Sequence, residues 1–204
     1  MSDAVLQGSL SDNNEEVITP APDEASAQLY EKLNPVLQLF SDLSERGLHS
    51  DVIVKRLLDK IKTAIRPDLF LFFTWDNESR EWPLFLQHGL PDHLIKEGKL
   101  ARAWQSLPTI ISHETESLFS DDISKDRRFI GQVVRGINIR TFCGITLRNK
   151  EVVYGSLSIG FFEPEALKKP DQTAFLMMSR LLFPFLLPQA AHTAPPINTS
   201  PQHE

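Results

Sequence analysis

Three hydroxyls recur at alternate positions in Tyr154, Ser156 and Ser158, opposite in parity to Val153, Leu157 and Ile159. Successive side chains of a strand point to opposite faces, so an extended segment here carries hydroxyls on one face and apolar groups on the other. Such a row can orient a small ligand by hydrogen bonds, or it can face water or a filled interior. Cys143 lies in a second alternating run and shares parity with Ile139, Ile145 and Leu147. That marks it as a buried core cysteine, with a redox or haem-ligand role as the sharper alternative. Asp121, Asp122 and Asp126 offer oxygen ligands to a hard cation, although a solvated acidic loop is the simpler reading. His113-Glu114-Thr115-Glu116 lacks the second histidine of a zinc-protease helix and reads as loop. His88 ends a strand and is given no ligand role. Ser106, Ser112 and His113 form no nucleophile-and-base arrangement. No catalytic residue and no metal ligand is therefore assigned. Lys125, Arg127, Arg128, Arg135 and Arg140 fall in one short basic region, which reads as a solvated face.

The hydroxyls and the cysteine are carried by residues 137–162, INIRTFCGITLRNKEVVYGSLSIGFF. Two alternating runs flank Asn149, Lys150 and Glu151, the pattern of an antiparallel hairpin. A hairpin cannot bury its own faces, so the remaining segments must cover it. Residues 1–27 are polar and acidic without periodicity and predict a disordered tail. Order is expected from Leu29, where Leu33, Val36, Leu37, Phe40 and Leu43 mark an amphipathic helix. Pro35 either starts that helix, with Asn34 as cap, or kinks it; Gly47 ends it. Ser50 is expected to cap a second helix, striped by Val54, Leu57, Leu58, Ile61 and Ile65 and closed by Pro67.

Residues 68–76, DLFLFFTWD, are apolar on both parities and predict a strand buried on both faces. Residues 81–88 return, and Pro83 requires an edge or a bulge there. A helical turn or two is expected at 92–98, then a helix at 100–107 stopped by Pro108 and a strand at 109–111. A surface loop at 112–126, a helix at 127–135 capped by Ser124 or Asp126, and the hairpin follow. A last helix opens at Pro170 and bends at Pro184, and residues 188–204 form a second disordered tail. The ordered domain is thus 28–187, an α+β sandwich.

The whole chain narrows the function. Its 204 residues suit one domain with tails, and 41% hydrophobic content with 13 Phe is enough for a core. A net charge of −6 argues against a nucleic-acid partner. One cysteine removes any disulfide framework and fits a reducing cytoplasm. The N-terminus has no secretory signal pattern. The most apolar run, 174–187, is broken by Arg180 and Pro184 and is shorter than the roughly 20 residues that span a bilayer, so no membrane partner is expected.

Within residues 33–187 the sequence resembles the GAF domain family. The resemblance is carried by Ile123 to Phe129 with Gly136-Ile137, by Phe142 to Leu147, by Val152 to Ile159, and by the helix opening at Pro170. Thr146 departs from it, since many members carry Pro there. The resemblance implies a six-stranded antiparallel sheet. The terminal helices would pack on one face, and short helices and loops would enclose a small-molecule pocket on the other. It implies that Val153, Leu157 and Ile159 face the helices and that Tyr154, Ser156 and Ser158 line the pocket, with Arg102 and Trp104 across from them.

Subfamilies separate by residue. Bilin binders place a cysteine ahead of the penultimate strand, where this chain has Phe129-Ile130, so a covalent bilin is disfavoured. Cyclic-nucleotide binders place Asn-Lys after the last strand; here Asn149-Lys150 lies in the hairpin turn, and that class is set aside. Methionine sulfoxide reductases of this fold need several cysteines. The cofactor is left open. The expectation is a stand-alone cytoplasmic GAF-like regulatory module, not an enzyme. It binds a small molecule or protein partner and acts as a homodimer through its terminal helices. The motive for the dimer is the apolar excess of Phe183, Leu186 and Leu187. The alternative is an interaction domain whose pocket is filled by its own Phe and Trp side chains.

Overall fold

The computed structural model describes residues 23–44, 49–96, 99–100, 104, 106–113, 117–129, 133–149 and 152–186. The first two helices are α1 (Glu24–Ser44) and α2 (Ser50–Ile65). Strands β1 (Leu69–Thr74), β2 (Leu84–His88), β3 (Ile95–Lys96) and β4 (Lys99–Leu100) follow. Then come α3 (Ser106–Ser112), β5 (Ser117–Ser120), β6 (Thr141–Asn149), β7 (Val152–Phe161) and α4 (Lys169–Arg180). Five strands form one antiparallel sheet in the order β2-β1-β7-β6-β5, and β3-β4 form a separate ribbon. The sixth strand that was expected does not join the sheet among the described residues.

The hairpin stands as its alternation requires, with Thr141 opposite Phe161 and Asn149 opposite Val152. It forms two of the three central strands. β1 is the third, lying between β2 and β7, and residues 69–73 are all buried. An apolar run on both parities is what a strand covered on both faces needs. On one face Phe70, Phe72, Cys143, Ile145, Leu157 and Ile159 pack with Leu57, Leu58 and Ile61 of α2 and Phe175 and Met178 of α4. On the other, Leu69, Leu71, Phe73 and Phe142 pack with Trp104, Leu107, Ile111, Phe129 and Val134. Each buried Phe or Leu contributes about 1.5–3 kcal/mol, so the two layers together hold the sheet.

Local signals were overridden where packing supplied a stronger reason. Helix α1 starts at Glu24 rather than near Leu29, capped by Asp23 Oδ1, which accepts from the Ser26 amide at 2.7 Å. It runs through Pro35, because Leu33 before the proline and Val36 and Leu43 after it are all buried. Ser50 is the first residue of α2, not its cap; His49 holds that position without a side-chain bond. Arg66, left-handed at φ 56°, ends α2 just before Pro67. Pro83 has both of the escapes open to it: β2 is an edge strand, and the register slips between Phe72 and Phe73.

The middle of the chain departs most from expectation. α3 contains Pro108 in its first turn, where no amide donor is required, and so residues 109–111 are helix rather than strand. The edge strand opposite β2 is β5, inside the segment read as loop; Leu118 and Ser120 are buried and Ser117 and Phe119 partly so. The helix expected at 127–135 is two 3-10 turns, Arg127–Phe129 and Val133–Ile137. After α4 the chain turns at 181–182 and is helical again over 183–186, so the bend precedes Pro184. The tails 1–22 and 187–204, Gly47 and the turn residues Lys150 and Glu151 lie outside the described residues. No described helix is long and apolar enough to cross a membrane.

Candidate functional site

Ser156 lies opposite Phe73 of β1 and Thr146 of β6, and Ser158 lies opposite Leu71 and Gly144. Directly paired residues share a sheet face. Both serines therefore belong to the face covered by α3 and Trp104, and both are fully buried. Their Oγ atoms and Thr146 Oγ1 have no hydrogen-bond partner. Tyr154 does not join them. The register slips between Leu147 and Arg148, which pair with Gly155 and Val153, so Tyr154 is the extra residue of a β-bulge. Parity inverts there. Val153 packs on the α3 side, and the Tyr154 ring meets Phe183 edge-on at 6.4 Å on the helical face. The strict alternation that placed Tyr154 with the serines and Val153 with Leu157 holds only beyond the bulge. Arg102 lies outside the described residues.

Trp104 is 2% exposed and lines an open pocket of about 520 Å³ with His93, Leu94, Ile137, Asn138 and Phe162. Neither serine lines this pocket. Leu71, Phe73 and Phe142 stand beside them on the same sheet face, and Leu107 and Ile111 of α3 belong to the layer that covers it. The pocket sits at the end of the sheet where β2 ends, β6 begins and β7 ends. Gly89 lets the chain turn back there at φ 83°; a Cβ on it would lie 1.8 Å from the Asp68 carbonyl oxygen. Asp68 Oδ2 accepts from the Phe162 amide at 2.9 Å, which fixes the backbone of a side chain left 53% exposed. A second pocket of about 280 Å³, lined by Ile123, Ser124, Arg135, Ile139 and Arg140, shares Asn138 and Phe162 with the first.

The basic region resolves into pairs. Arg140 grips Asp122 through Nε at 2.9 Å and Nη2 at 2.7 Å. Arg128 grips Asp126 at 2.7 Å. The Arg140 hydrogen bonds, helped by Ser124, hold the Asp122 carboxyl well below its usual range. The Arg128 hydrogen bonds hold Asp126 down at about 2. These two aspartates are engaged by guanidinium groups, and no three metal-ligating side chains cluster among the described residues. Arg135 differs. Its Nη2 donates to the carbonyls of Ile123, Ser124 and Asp126 at 2.6, 3.2 and 3.0 Å, and its Nε is buried without a partner.

No protein-family model matches the chain, and no curated protein matches it in sequence. Solved structures match it in shape. The GAF domain of a phosphoenolpyruvate-protein phosphotransferase from Coxiella burnetii gives a TM-score of 0.59 at 16% identity, over 84% of this chain and 99% of its own. The phycocyanobilin-bound GAF domain of a cyanobacterial phytochrome gives 0.60 at 9% identity, over 79% and 98%. Free methionine-R-sulfoxide reductase from Neisseria meningitidis, in complex with its substrate, gives 0.55 at 15% identity, over 85% and 96%. The fold is GAF-like.

In this GAF-like domain Cys143 points into the helical core and is 1% exposed. Burial pushes its thiol up to about 12, so it stays protonated and unreactive at neutral pH. The sequence reading named Trp104 as a pocket residue but not Asn138, Phe162 or Arg135. Phe162 was legible only as the last residue of the hairpin. Arg135 was one of five similar cations, and nothing in their spacing marks it as lacking a carboxylate partner among the described residues.

Proposed function

We propose that the chain is a sensory or regulatory module that binds a small ligand in the pocket walled by Trp104, at the end of the sheet rather than along its hydroxyl row. One observation carries the reading: a sealed indole backs an open pocket of about 520 Å³ whose rim holds a half-exposed phenyl ring, Phe162. Concave sites with an apolar wall and a few polar groups are where proteins hold small molecules. The neighbouring structures include a domain holding a pigment and an enzyme holding its substrate. For this chain we propose regulation rather than catalysis, because a single protonated, buried cysteine cannot supply the paired thiol chemistry of a reductase.

A second reading has its own support. Ser156 and Ser158 are fully buried on a sheet face filled by Leu71, Phe73, Leu107, Ile111 and Phe142, as an interaction domain with a self-filled interior would have them. Native mass spectrometry of protein isolated from its own cells, with an absorption spectrum, separates the two. A retained non-covalent adduct that is lost in Phe162→Ala supports the ligand site. A mass equal to the bare chain, in protein that still captures a partner through the same face, favours the second reading.

A further inference from the structure

We propose that the ligand of the Trp104 pocket is a small organic acid, its apolar body against Trp104 and Phe162 and its oxyanion head at Arg135 and Arg140. This rests on the reading of that pocket as a ligand site. The two pockets share Asn138 and Phe162 in their walls, so they adjoin there as the apolar lobe and the guanidinium lobe of a two-part depression. Three facts give the second lobe its sign. Arg135 has no carboxylate partner among the described residues; its contacts are three backbone carbonyls, which solvate a cation without cancelling its charge. Its Nε–H is buried and unpaired, a costly state for a charged donor unless an acceptor arrives. Arg140 spends Nε and Nη2 on Asp122, and among the described residues Nη1 is left to serve another acceptor. Among the described residues Arg135, Arg140 and Lys125, whose Nζ lies 3.5 Å from Asp122, outnumber the Asp122 carboxylate, which leaves the lobe positive. Planar N–H forks match the geometry of carboxylate and phosphate oxygens.

The apolar lobe sets the rest of the molecule. Leu94, Trp104, Ile137 and Phe162 offer aliphatic and aromatic walls, and about 520 Å³ accommodates a body of one ring or a short chain. An inorganic anion would use only half of the depression.

Isothermal titration with 3-phenylpropionate, phenyl phosphate and 3-phenylpropionamide tests this on the full chain. The acid or the phosphate ester is expected to bind about tenfold tighter than the amide, the advantage of one charge-assisted contact. Which of the two binds better tells a carboxylate site from a phosphate site. Phe162→Ala should weaken acid and amide alike, while Arg135→Met should remove the acid's advantage. If Arg135→Met fails to fold, the salt response of the wild type decides: affinity for the acid should fall with added NaCl and that for the amide should not. Equal binding of acid and amide at all salt concentrations overturns the organic-acid assignment and leaves the pocket standing. Failure of all three probes to bind at millimolar concentration overturns both.

Discussion

Ser156 and Ser158 place hydroxyls where the fold gives them nothing to bond, and each orphaned buried group costs about 1–3 kcal/mol. Ser156→Ala and Ser158→Ala remove that cost while barely changing volume. Each is expected to raise stability by about 1 kcal/mol in urea denaturation. A loss of that size would mean that a ligand or water pairs with the hydroxyl and that the row is a binding surface after all. At the same scale, Asp122 and Asp126 link stability to pH. Their folded carboxyls titrate below the ordinary 3.8. The stability they contribute is therefore complete above that value and is lost as pH falls toward about 2, the folded value of Asp126. The Arg128 partner is 43% exposed, so the effect is small and salt-screened. Comparing denaturation midpoints at pH 5 and pH 2.5, wild type should lose more than Asp126→Asn; equal losses would remove the ion pair from the account.

At the scale of elements, the bulge in β7 decides which side chains reach which face. It brings Gly155 so near β1 that a Cβ there would lie 2.6 Å from the Phe73 carbonyl oxygen and 3.0 Å from the Phe72 ring. Gly155→Ala should destabilise the domain by about 1–3 kcal/mol, the cost of overpacking, and release the Tyr154–Phe183 contact. Thermal denaturation with near-ultraviolet circular dichroism reads both. An unchanged melting temperature would show that the bulge is soft and that Tyr154 can reach the other face. The α1–α4 pairing, tied by Lys32 to Asp171, depends instead on apolar burial: Ala174, Phe175 and Met178 of α4 are sealed.

For the molecule as a whole, self-association needs an apolar surface that the fold leaves unspent. Phe183 and Leu186, which suggested a dimer from sequence, are used inside the chain: Phe183 packs on Tyr154, and Leu186 is 3% exposed. Leu187 lies outside the described residues. Among the described residues the exposed large apolar groups of these helices are Tyr30 and Leu37 of α1, seven residues apart on one stripe, Val52 of α2 and Met177 of α4. If the domain dimerises through its terminal helices, Tyr30→Glu with Leu37→Glu should convert dimer to monomer in light scattering without changing the far-ultraviolet spectrum. A dimer that survives the pair of charges is built on another face.

The sequence by itself determined the parts that depend on local period. The hairpin of β6 and β7, the doubly buried β1 and the amphipathic stripes of α2 and α4 each follow from side-chain alternation or helical spacing, which is a property of neighbours along the chain. The core position of Cys143 was legible with them; Trp104 was expected across from the hydroxyl row, and the pocket it lines includes neither serine. Tertiary structure decided the rest. β5 is too short and polar to announce itself and exists because β6 offers it a partner edge. The bulge at Tyr154 is invisible to a count of parities. The charge of the Arg135 lobe depends on which of several nearby aspartates each arginine meets, and that pairing is set by distances across the fold rather than by spacing in the chain.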